Sequence, residues 1–212
     1  MTGLTAPDPR ALGMRLNEIL QTLGAVELAE ELAVRFGAYA ALLMRWNARM
    51  NLTAVRDAEG ILRRHMVESV LCARFLPEGI PTLLDFGSGA GFPGVPIALC
   101  RPEIAVTLGE SQGKKAAFLR ETVRLLGLQA EVFGGRVETL GEQFGCVTLR
   151  AVDRMGEAVR SAAGLVGRRG WLTVLTTVSD RGAIEGWAGE GFAWESRELP
   201  GSAERILLLG RH

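Results

Sequence analysis

A glycine-rich segment after a short apolar run constrains the fold of this chain more than any other feature. The run ends at Asp85, and four glycines follow it, at positions 87, 89, 91 and 94. Glycine accepts positive φ and lets the backbone approach a ligand closely. A buried strand that ends in such a loop and leads into a helix presents free N–H groups to a polar ligand. The segment therefore predicts a cofactor site at the end of a buried strand.

Downstream of this segment, strand-like apolar runs alternate with helical patterns. We predict strands at 82–86, 104–109, 130–133, 146–150, 171–177, 192–198 and 204–210, and helices at 93–100, 114–126, 154–166 and 180–189. Alternation of this kind forms a mostly parallel sheet with helices on both faces. We expect a Rossmann-like α/β fold with a seven-stranded sheet, in which the closing hairpin contributes one antiparallel strand.

The first eighty residues show helical periodicity instead. Apolar residues recur at helical spacing from Leu12 to Leu23 and from Leu28 to Trp46. A third helix is predicted to begin after Asp57, a good N-cap residue, and to run toward Pro77. No flexible linker follows these helices. We therefore expect a helical extension, 1–80, packed on a core domain, 81–212.

Charge and cysteine content exclude several classes of protein. Basic and acidic residues number 24 each, so the chain is not a polycation, although a local basic face remains possible. No apolar run approaches the ~20 residues that span a bilayer, and residues 1–10 show no signal pattern. The three cysteines and two histidines lack metal-ligand spacing. We expect a cytoplasmic protein with reduced thiols, no metal and no membrane contact.

Asp85 bears on which cofactor the loop receives. The segment from Gly89 to Gly94 also fits the G-x-G-x-x-G pattern of dinucleotide-binding proteins, whose glycines receive a pyrophosphate. A carboxylate beside the loop would repel a pyrophosphate and attract the ammonium and sulfonium groups of S-adenosylmethionine. The order acid-x-Gly-x-Gly-x-Gly is typical of class I methyltransferases. We therefore favour S-adenosylmethionine, with S-adenosylhomocysteine as product, over a dinucleotide.

Two further features lie close to the loop in sequence. The strand predicted at 104–109 ends at Glu110, whose carboxylate can accept the ribose hydroxyls of either cofactor. The chain's only lysines, Lys114 and Lys115, open the next helix, where cations oppose the helix macrodipole. Two interpretations of the lysines stay open: a solvated pair, or a pair that meets an anion such as an RNA phosphate.

Several separated motifs carry a family resemblance. They are WNARMNLTAVRD (46–57), RHMVES (64–69), DFGSGAGFPGVP (85–96), KKAAFL (114–119), RVE (136–138), RA (150–151) and LPGSAER (199–205). Together they resemble the motifs of the bacterial 16S rRNA guanine-N7 methyltransferases, the glucose-inhibited division protein B family. The resemblance covers nearly the whole chain.

The resemblance implies a class I methyltransferase fold and methyl transfer to N7 of a guanine in the decoding-region loop of 16S rRNA. The substrate would be the 30S subunit or an assembly intermediate, and the enzyme a monomer. Together with the residues discussed above, the expected cofactor-binding residues are Asp85, Gly87, Gly89, Phe92, Glu110, Ser111, Val137, Glu138 and Arg150. The expected RNA-binding residues are Arg64, His65, Lys114, Lys115 and Arg136.

The chemistry of N7 methylation needs little from the protein. Guanine N7 has an in-plane lone pair and no proton, so attack on a sulfonium methyl requires no general base, and positioning with electrostatics can carry the rate. We expect Arg150, His65 and Lys114 to supply those roles. Other acceptors, namely a different RNA, a protein or a small molecule, stay open, as do a dinucleotide oxidoreductase and a non-catalytic RNA-binding module.

Five positions depart from the family pattern. Glu68 and Glu110 each replace an aspartate and keep its charge. Gly109 replaces an apolar strand residue, which is expected to weaken its strand. Gly145 and Leu149 replace an acid and a small polar residue, and we expect both to adjoin the catalytic face and to affect substrate placement.

Overall fold

The apolar stripes of the N-terminal region form two long helices in this computed structural model, which describes residues 8–212. Helix α1 spans Pro9–Thr22 and helix α2 spans Glu30–Met50. The side chain of Asp8 caps α1, and Asn51 ends α2 in the left-handed conformation with φ of 49°. The two helices pack against each other through their buried stripes. The first seven residues of the predicted extension lie outside the described residues.

A π-helical segment interrupts the third predicted helix. The helix begins after Asp57, whose side chain accepts a hydrogen bond from the Gly60 N–H at 2.7 Å. It continues as α3 (Ala58–Ile61), the π-helical segment Leu62–Val67 and α4 (Glu68–Phe75). Short π-helical insertions are frequent at functional sites, and this one contains two predicted site residues. The sequence predicts a continuous helix here because apolar periodicity does not distinguish a π turn from an α turn.

The predicted α/β sheet is present. It has seven strands: β1 (Thr82–Phe86), β2 (Ala105–Gly109), β3 (Ala130–Phe133), β4 (Phe144–Arg150), β5 (Val166–Thr177), β6 (Ala193–Glu198) and β7 (Arg205–Arg211). Their order is β3-β2-β1-β4-β5-β7-β6. Strands β1 to β5 pair in parallel, and β7 pairs antiparallel with both β5 and β6. This confirms the predicted mostly parallel fold with one antiparallel strand.

Helices cover both faces of the sheet. They are α5 (Gly94–Cys100), α6 (Gly113–Leu126), α7 (Met155–Gly164) and α8 (Arg181–Ala188). Neighbouring residues of β1 belong to different apolar cores: Leu83 packs in the core shared with α5, α6 and the N-terminal helices, and Leu84 in the core under α7 and α8. The N-terminal helices thus share one core with the sheet. Treating 1–80 and 81–212 as two units stays a prediction.

The strand boundaries differ most around β5. The sequence predicts a helix at 154–166 and a strand from 171, whereas the helix ends at Gly164 and β5 already begins at Val166. The exposed Arg168 and Arg169 interrupt the apolar pattern, Arg169 adopts φ of 61°, and the pairing with β4 shifts register there. An irregular charged stretch of this kind hides the beginning of a strand from a periodicity argument.

The strand order reverses between β1 and β4, which makes their carboxyl ends a topological switch point. In open parallel sheets, ligands bind in the crevice outside the carboxyl ends of the strands at such a point. The glycine loop begins at this end of β1. Within residues 8–212, no helix combines the length and the apolarity needed to cross a bilayer.

Candidate functional site

A cavity of about 690 Å³ opens at the carboxyl ends of β1, β2 and β4. This volume lies within the usual range for small-molecule sites. The cavity brings together twelve of the predicted site residues: Arg64, His65, Gly87, Gly89, Phe92, Glu110, Ser111, Lys115, Arg136, Val137, Glu138 and Arg150. Asp85 and Lys114 are the predicted site residues that do not line it.

The glycine loop adopts backbone conformations that side chains disfavour. Gly87, Gly89 and Gly91 have φ of 70°, 56° and 91°. A Cβ at Gly87 would lie 2.5 Å from Val152 Cγ1, and Val152 also lines the cavity. A Cβ at Gly91 would lie 2.6 Å from the Tyr39 hydroxyl. The loop therefore requires glycine both for its φ values and for close packing.

The Asp85 carboxylate is buried beneath the loop and does not face the cavity. Its Oδ2 accepts a hydrogen bond from the Gly94 N–H at 3.1 Å, and its Oδ1 accepts one from the Thr148 hydroxyl at 3.0 Å. Burial raises the pKa of this carboxyl to about 6. The sequence predicts a carboxylate that attracts a cationic cofactor directly. The structure corrects that role: Asp85 joins the end of β1 to the beginning of α5 and so supports the loop.

Glu110 holds the loop from the cavity side. Its Oε2 accepts a hydrogen bond from the Gly89 N–H at 3.0 Å, and its Oε1 accepts one from the Gln112 N–H at 2.7 Å. Each carboxylate oxygen carries a further lone pair. Glu110 can therefore fix the loop and still accept hydrogen bonds from the hydroxyl groups of a ligand.

Gly109 makes room for another cavity residue. A Cβ at this position would lie 2.1 Å from Val137 Cγ1. Val137 and Glu138 begin the short 3-10 turn Val137–Thr139 beside the cavity. Gly109 still pairs with Phe86 and Phe133 in the sheet. Glycine at position 109 was expected to weaken β2. The structure adds that only glycine leaves room there for the side chain of Val137, which the sequence does not reveal.

Arg150 lies at the end of β4, where it contacts the N-terminal helices. Its Nη2 donates hydrogen bonds to Glu68 Oε2 at 2.8 Å and to the Arg64 carbonyl oxygen. Its guanidinium carbon lies 5.8 Å from the centre of the Phe92 ring, within the range of a cation–π contact. Burial lowers the pKa of Arg150, but guanidinium groups stay charged in proteins.

His65 packs on the same aromatic ring as Arg150. Its ring stacks on Phe92 with centroids 4.9 Å apart, and its Nε2 lies 2.7 Å from the Thr53 hydroxyl oxygen. Burial, assisted by the charge of Arg150, lowers the pKa of His65 to about 3. The imidazole is therefore neutral near pH 7. Of the two predicted roles, this favours positioning over the electrostatic role of a cation.

The two lysines differ in their placement. Lys115 is half-buried and lines the cavity, whereas Lys114 is exposed and does not. Both lie in the first turn of α6, but successive residues of a helix point about 100° apart. The structure therefore corrects the catalytic role expected for Lys114. The exposed Arg136 remains at the cavity and pairs with Glu138 at 3.5 Å.

Other cavity residues escaped the sequence argument. Thr53, residues 151–154 and Arg205 line the cavity, and Glu68 lies behind it. Glu68 and Arg205 lie in two of the motifs that carry the family resemblance, and no other feature of the sequence indicates that they belong to the site. Conversely, Gly145 lies beside Pro81 at the opposite end of β4, and Leu149 is fully buried in the core under α7. Neither departure adjoins the catalytic face, contrary to our expectation.

Metal-ligating side chains do not converge in the described part of the chain. Among residues 8–212, no three or more His, Cys, Asp or Glu side chains are grouped closely enough to hold a metal ion. The cavity is lined by glycines and apolar residues together with carboxylates and guanidinium groups. Such a set suits a polar organic cofactor and an anionic partner.

Solved structures share the fold of this chain at low sequence identity. A SAM-dependent methyltransferase from Aquifex aeolicus aligns with a TM-score of 0.56 at 17% identity, covering 72% of this chain and 92% of that one. The TYW2 protein of M. jannaschii, solved in complex with AdoMet, aligns with a TM-score of 0.56 at 13% identity, covering 68% and 74%. These similarities confirm the fold that the sequence predicts.

Curated relatives cover most of the chain, and each is named ribosomal RNA small subunit methyltransferase G. The relative from Roseiflexus sp. (strain RS-1) is 39% identical over 82% of this chain and 81% of its own length. The relative from Halorhodospira halophila is 42% identical over 71% and 72%. The relative from Stenotrophomonas maltophilia (strain K279a) is 38% identical over 91% and 89%.

A family model agrees with these relatives and with the motifs. The model described as rRNA small subunit methyltransferase G matches residues 33–185, which include the π-helical segment, the glycine loop and Arg150. The resemblance drawn from the sequence is therefore confirmed. This chain belongs to the rRNA small subunit methyltransferase G family.

Proposed function

We propose that this chain transfers the methyl group of S-adenosylmethionine to N7 of a guanine in the decoding-region loop of 16S rRNA. One observation carries the proposal: a single cavity has a glycine-rich cradle on one side and a group of guanidinium side chains on the other. We call these the donor side, comprising residues 87–92, 110–111 and 137–138, and the acceptor side, comprising Thr53, Arg64, His65, Arg150 and Arg205.

The donor side suits S-adenosylmethionine. The loop from Gly87 to Phe92 presents backbone rather than side chains, and Glu110 keeps acceptor capacity for hydroxyl groups. Val137 packs against Gly109, so an apolar surface closes this end of the cavity. The cofactor supplies an electrophilic methyl group on a sulfonium. Family membership supports the same donor.

The acceptor side suits a reaction without proton transfer. The pKa of His65, about 3, makes its imidazole a poor proton acceptor at neutral pH. An exocyclic amine would need to lose a proton, whereas guanine N7 does not. Catalysis then rests on alignment of the nucleophile with the methyl group, which can lower the barrier substantially. A ring nitrogen of the base that carries no proton is therefore the favoured acceptor.

The charge around the cavity favours RNA as the substrate. The chain carries no net charge, yet six cationic side chains, among them Arg64, Lys115 and Arg205, line the cavity against four carboxylates. Such a concentration of cations on a neutral protein attracts phosphate groups. The name shared by the curated relatives points to small-subunit ribosomal RNA. We further propose that the enzyme is a cytoplasmic monomer that acts on the 30S subunit or an assembly intermediate.

Transfer of a labelled methyl group tests this function. The purified chain is incubated with S-adenosylmethionine carrying a tritiated methyl group and with 30S subunits that lack the modification. We expect the label in 16S rRNA. Fully modified 30S subunits provide the matched control and should take up almost none.

Other outcomes identify the alternatives. Label in ribosomal proteins, in a different RNA or in a small molecule would replace the proposed acceptor. Calorimetry that detects NAD binding but no S-adenosylhomocysteine binding would indicate an oxidoreductase. Normal S-adenosylhomocysteine binding with no transfer to any RNA would indicate a non-catalytic binding module.

A further inference from the structure

Glu68 joins three segments that are distant in sequence. It lies at the beginning of α4, and its Oε2 accepts hydrogen bonds from Arg150 Nη2 at 2.8 Å and from Arg205 Nη2 at 2.9 Å. Arg150 ends β4 and Arg205 begins β7. One carboxylate oxygen therefore connects the N-terminal helices, the centre of the sheet and its antiparallel strand.

The three side chains lie at different depths behind the cavity surface. Arg150 and Arg205 line it, whereas Glu68 does not. The side chains of Glu68 and Arg150 are only 11% and 7% exposed, and that of Arg205 is 24% exposed. Glu68 therefore has no direct access to a ligand in the cavity. Any influence it has on a ligand is exerted through the two arginines.

The carboxylate is also an electrostatic requirement of this arrangement. Two guanidinium groups that share one acceptor atom repel each other, and removal of the partner of a buried charge leaves that charge uncompensated. Glu68 neutralises one of the two positive charges and leaves a net charge of one on the cluster of Glu68, Arg150 and Arg205. The cluster can therefore attract an oxygen acceptor while the arginines remain ordered.

Several guanidinium donors remain available for a ligand. Arg150 bonds to Glu68 and to Arg64 through Nη2 alone, so its Nη1 and Nε have no hydrogen-bond partner within residues 8–212. Arg205 Nε also lacks a partner in that range, but it is buried, so a shift of the Arg205 side chain is needed to bring it to a ligand. Buried donors without partners are uncommon in folded proteins. Oxygen acceptors of RNA, either a phosphate oxygen or guanine O6, match these donors.

We propose that Glu68 is a positioning residue for the RNA substrate, which orients Arg150 and Arg205 so that their free donors meet an oxygen acceptor of the RNA. The proposal rests on the proposed function, because it assumes that RNA enters the acceptor side. Since Glu68 acts through the two arginines, its loss should affect use of the RNA more than binding of the donor.

The test compares Glu68→Gln with Glu59→Gln. Glu59 also pairs with two arginines, Arg15 and Arg63, but at an exposed site away from the cavity. Steady-state methylation of unmodified 30S subunits gives kcat and KM, and calorimetry gives the Kd of S-adenosylhomocysteine. For Glu68→Gln we expect kcat/KM for 30S to fall about tenfold because the arginines are displaced, with Kd changed less than about threefold. Glu59→Gln should change neither, and Glu68→Asp should recover much of the loss.

Salt dependence distinguishes the two sources of the oxygen acceptor. If the arginines meet a phosphate, Glu68→Gln should flatten the dependence of log(kcat/KM) on log[salt] by about one unit of slope. If they meet guanine O6, the slope should stay unchanged while kcat/KM still falls. Both results agree with the proposal, since each shows a loss on the RNA side.

The contradicting results are equally specific. An unchanged kcat/KM in folded Glu68→Gln, or an equal loss in donor affinity and in kcat/KM, would overturn the positioning role. If Glu68→Gln does not fold, it is combined with Arg205→Met. This double variant has lost one charge of each sign. The double variant should then be several-fold less active on 30S than Arg205→Met alone, and equal activities would overturn the proposal. A wild-type chain that labels no 30S rRNA rejects the proposed function instead.

Discussion

The donor side and the acceptor side of the cavity are built in different ways. The donor side consists of loops that directly follow the parallel strands β1, β2 and β3, and its contacts are mostly local, such as Glu110 with the Gly89 and Gln112 N–H groups. The acceptor side is assembled from residues 53–68, the end of β4 and the beginning of β7. Its contacts join residues up to 137 positions apart.

This difference has a physical consequence for the two sides. A loop that follows a strand is oriented by the sheet itself, so its geometry depends on a few residues near one another in sequence. A cluster drawn from three segments depends on the whole fold, and on the charges that hold it together. We therefore expect substitutions on the donor side to affect cofactor binding, and substitutions on the acceptor side to affect RNA use and pH dependence.

The largest effect is expected from Gly87→Val on the donor side. The substitution places a branched side chain at φ of 70° and brings its Cβ to within 2.5 Å of Val152 Cγ1. We expect the free loop to relax away from strain and overpacking of about 3 kcal/mol, so that restoring the conformation that binds the donor costs about a 100-fold loss of affinity for S-adenosylhomocysteine. Calorimetry measures the loss.

Gly113→Ala is the matched control, because a Cβ at that position meets nothing within 4 Å and φ is not positive. Its affinity for S-adenosylhomocysteine should equal that of the wild type. Unchanged affinity in Gly87→Val would show that the donor binds elsewhere.

Tyr39→Phe tests whether the N-terminal helices support the donor side. The Tyr39 hydroxyl is fully buried and donates a hydrogen bond to the carbonyl oxygen of Ala90 in the glycine loop. Its removal leaves a buried acceptor without a donor, so the free energy of unfolding should fall by about 1–3 kcal/mol. Urea unfolding measures the change. A variant as stable as the wild type would mean that the donor loop does not depend on α2.

His65→Gln tests the acceptor side through pH. The pKa of His65 is about 3 in the folded protein, against an ordinary value of 6.5. Between these values the unfolded chain binds more protons, so stability falls as the pH falls below 6.5, by about 1.4 kcal/mol per pH unit at most. Relative to the wild type, His65→Gln should therefore become progressively more stable between pH 6.5 and pH 4.

The comparison of His65→Gln with the wild type matters here because Asp85 acts in the opposite direction. The pKa of Asp85 is raised to about 6 from an ordinary value of 3.8. Its contribution is present in full below 3.8 and is lost as the pH rises through 6. Both proteins contain Asp85, so its contribution cancels in the difference. Parallel stability curves for wild type and His65→Gln would contradict a depressed pKa for His65.

The smallest effect is expected from the two neighbouring lysines. Lys115 lines the cavity and Lys114 does not. Lys115→Ala should raise KM for 30S about threefold and reduce the salt slope by about one, as loss of one phosphate contact does. Lys114→Ala, its neighbour of identical chemistry, serves as the control and should behave as the wild type. Equal effects of the two substitutions would contradict a contact between Lys115 and an RNA phosphate in the cavity.

The donor side could largely be predicted from the sequence because it is local. The glycine loop, Glu110 and the strands around them follow from patterns within short windows, and the parallel pairing of β1 to β3 follows from their alternation with helices. Even there, side-chain direction was missed. Asp85 precedes the loop in sequence, but its carboxylate is directed into the protein beneath α5, and only the three-dimensional packing shows this.

The acceptor side could be predicted only in part because its residues meet through tertiary contacts. Motif resemblance identified Arg64, His65 and Arg150, but no local pattern indicates that Arg205 donates a hydrogen bond to Glu68. The π-helical segment is invisible to apolar periodicity. The expectation for Leu149 fails because neighbouring residues of a strand point to opposite faces, and that for Gly145 fails because it lies at the end of β4 away from Arg150.

Mapping of the modified nucleotide tests the central claim most directly. Unmodified 30S subunits are methylated by the purified chain, the 16S rRNA is reduced with borohydride and cleaved with aniline, which breaks RNA at N7-methylguanine, and primer extension locates the breaks. We expect a single new break at a guanine in the decoding-region loop, and none with Gly87→Val. Methylated 16S rRNA that resists cleavage, or a break elsewhere in the molecule, would contradict transfer to that N7 atom.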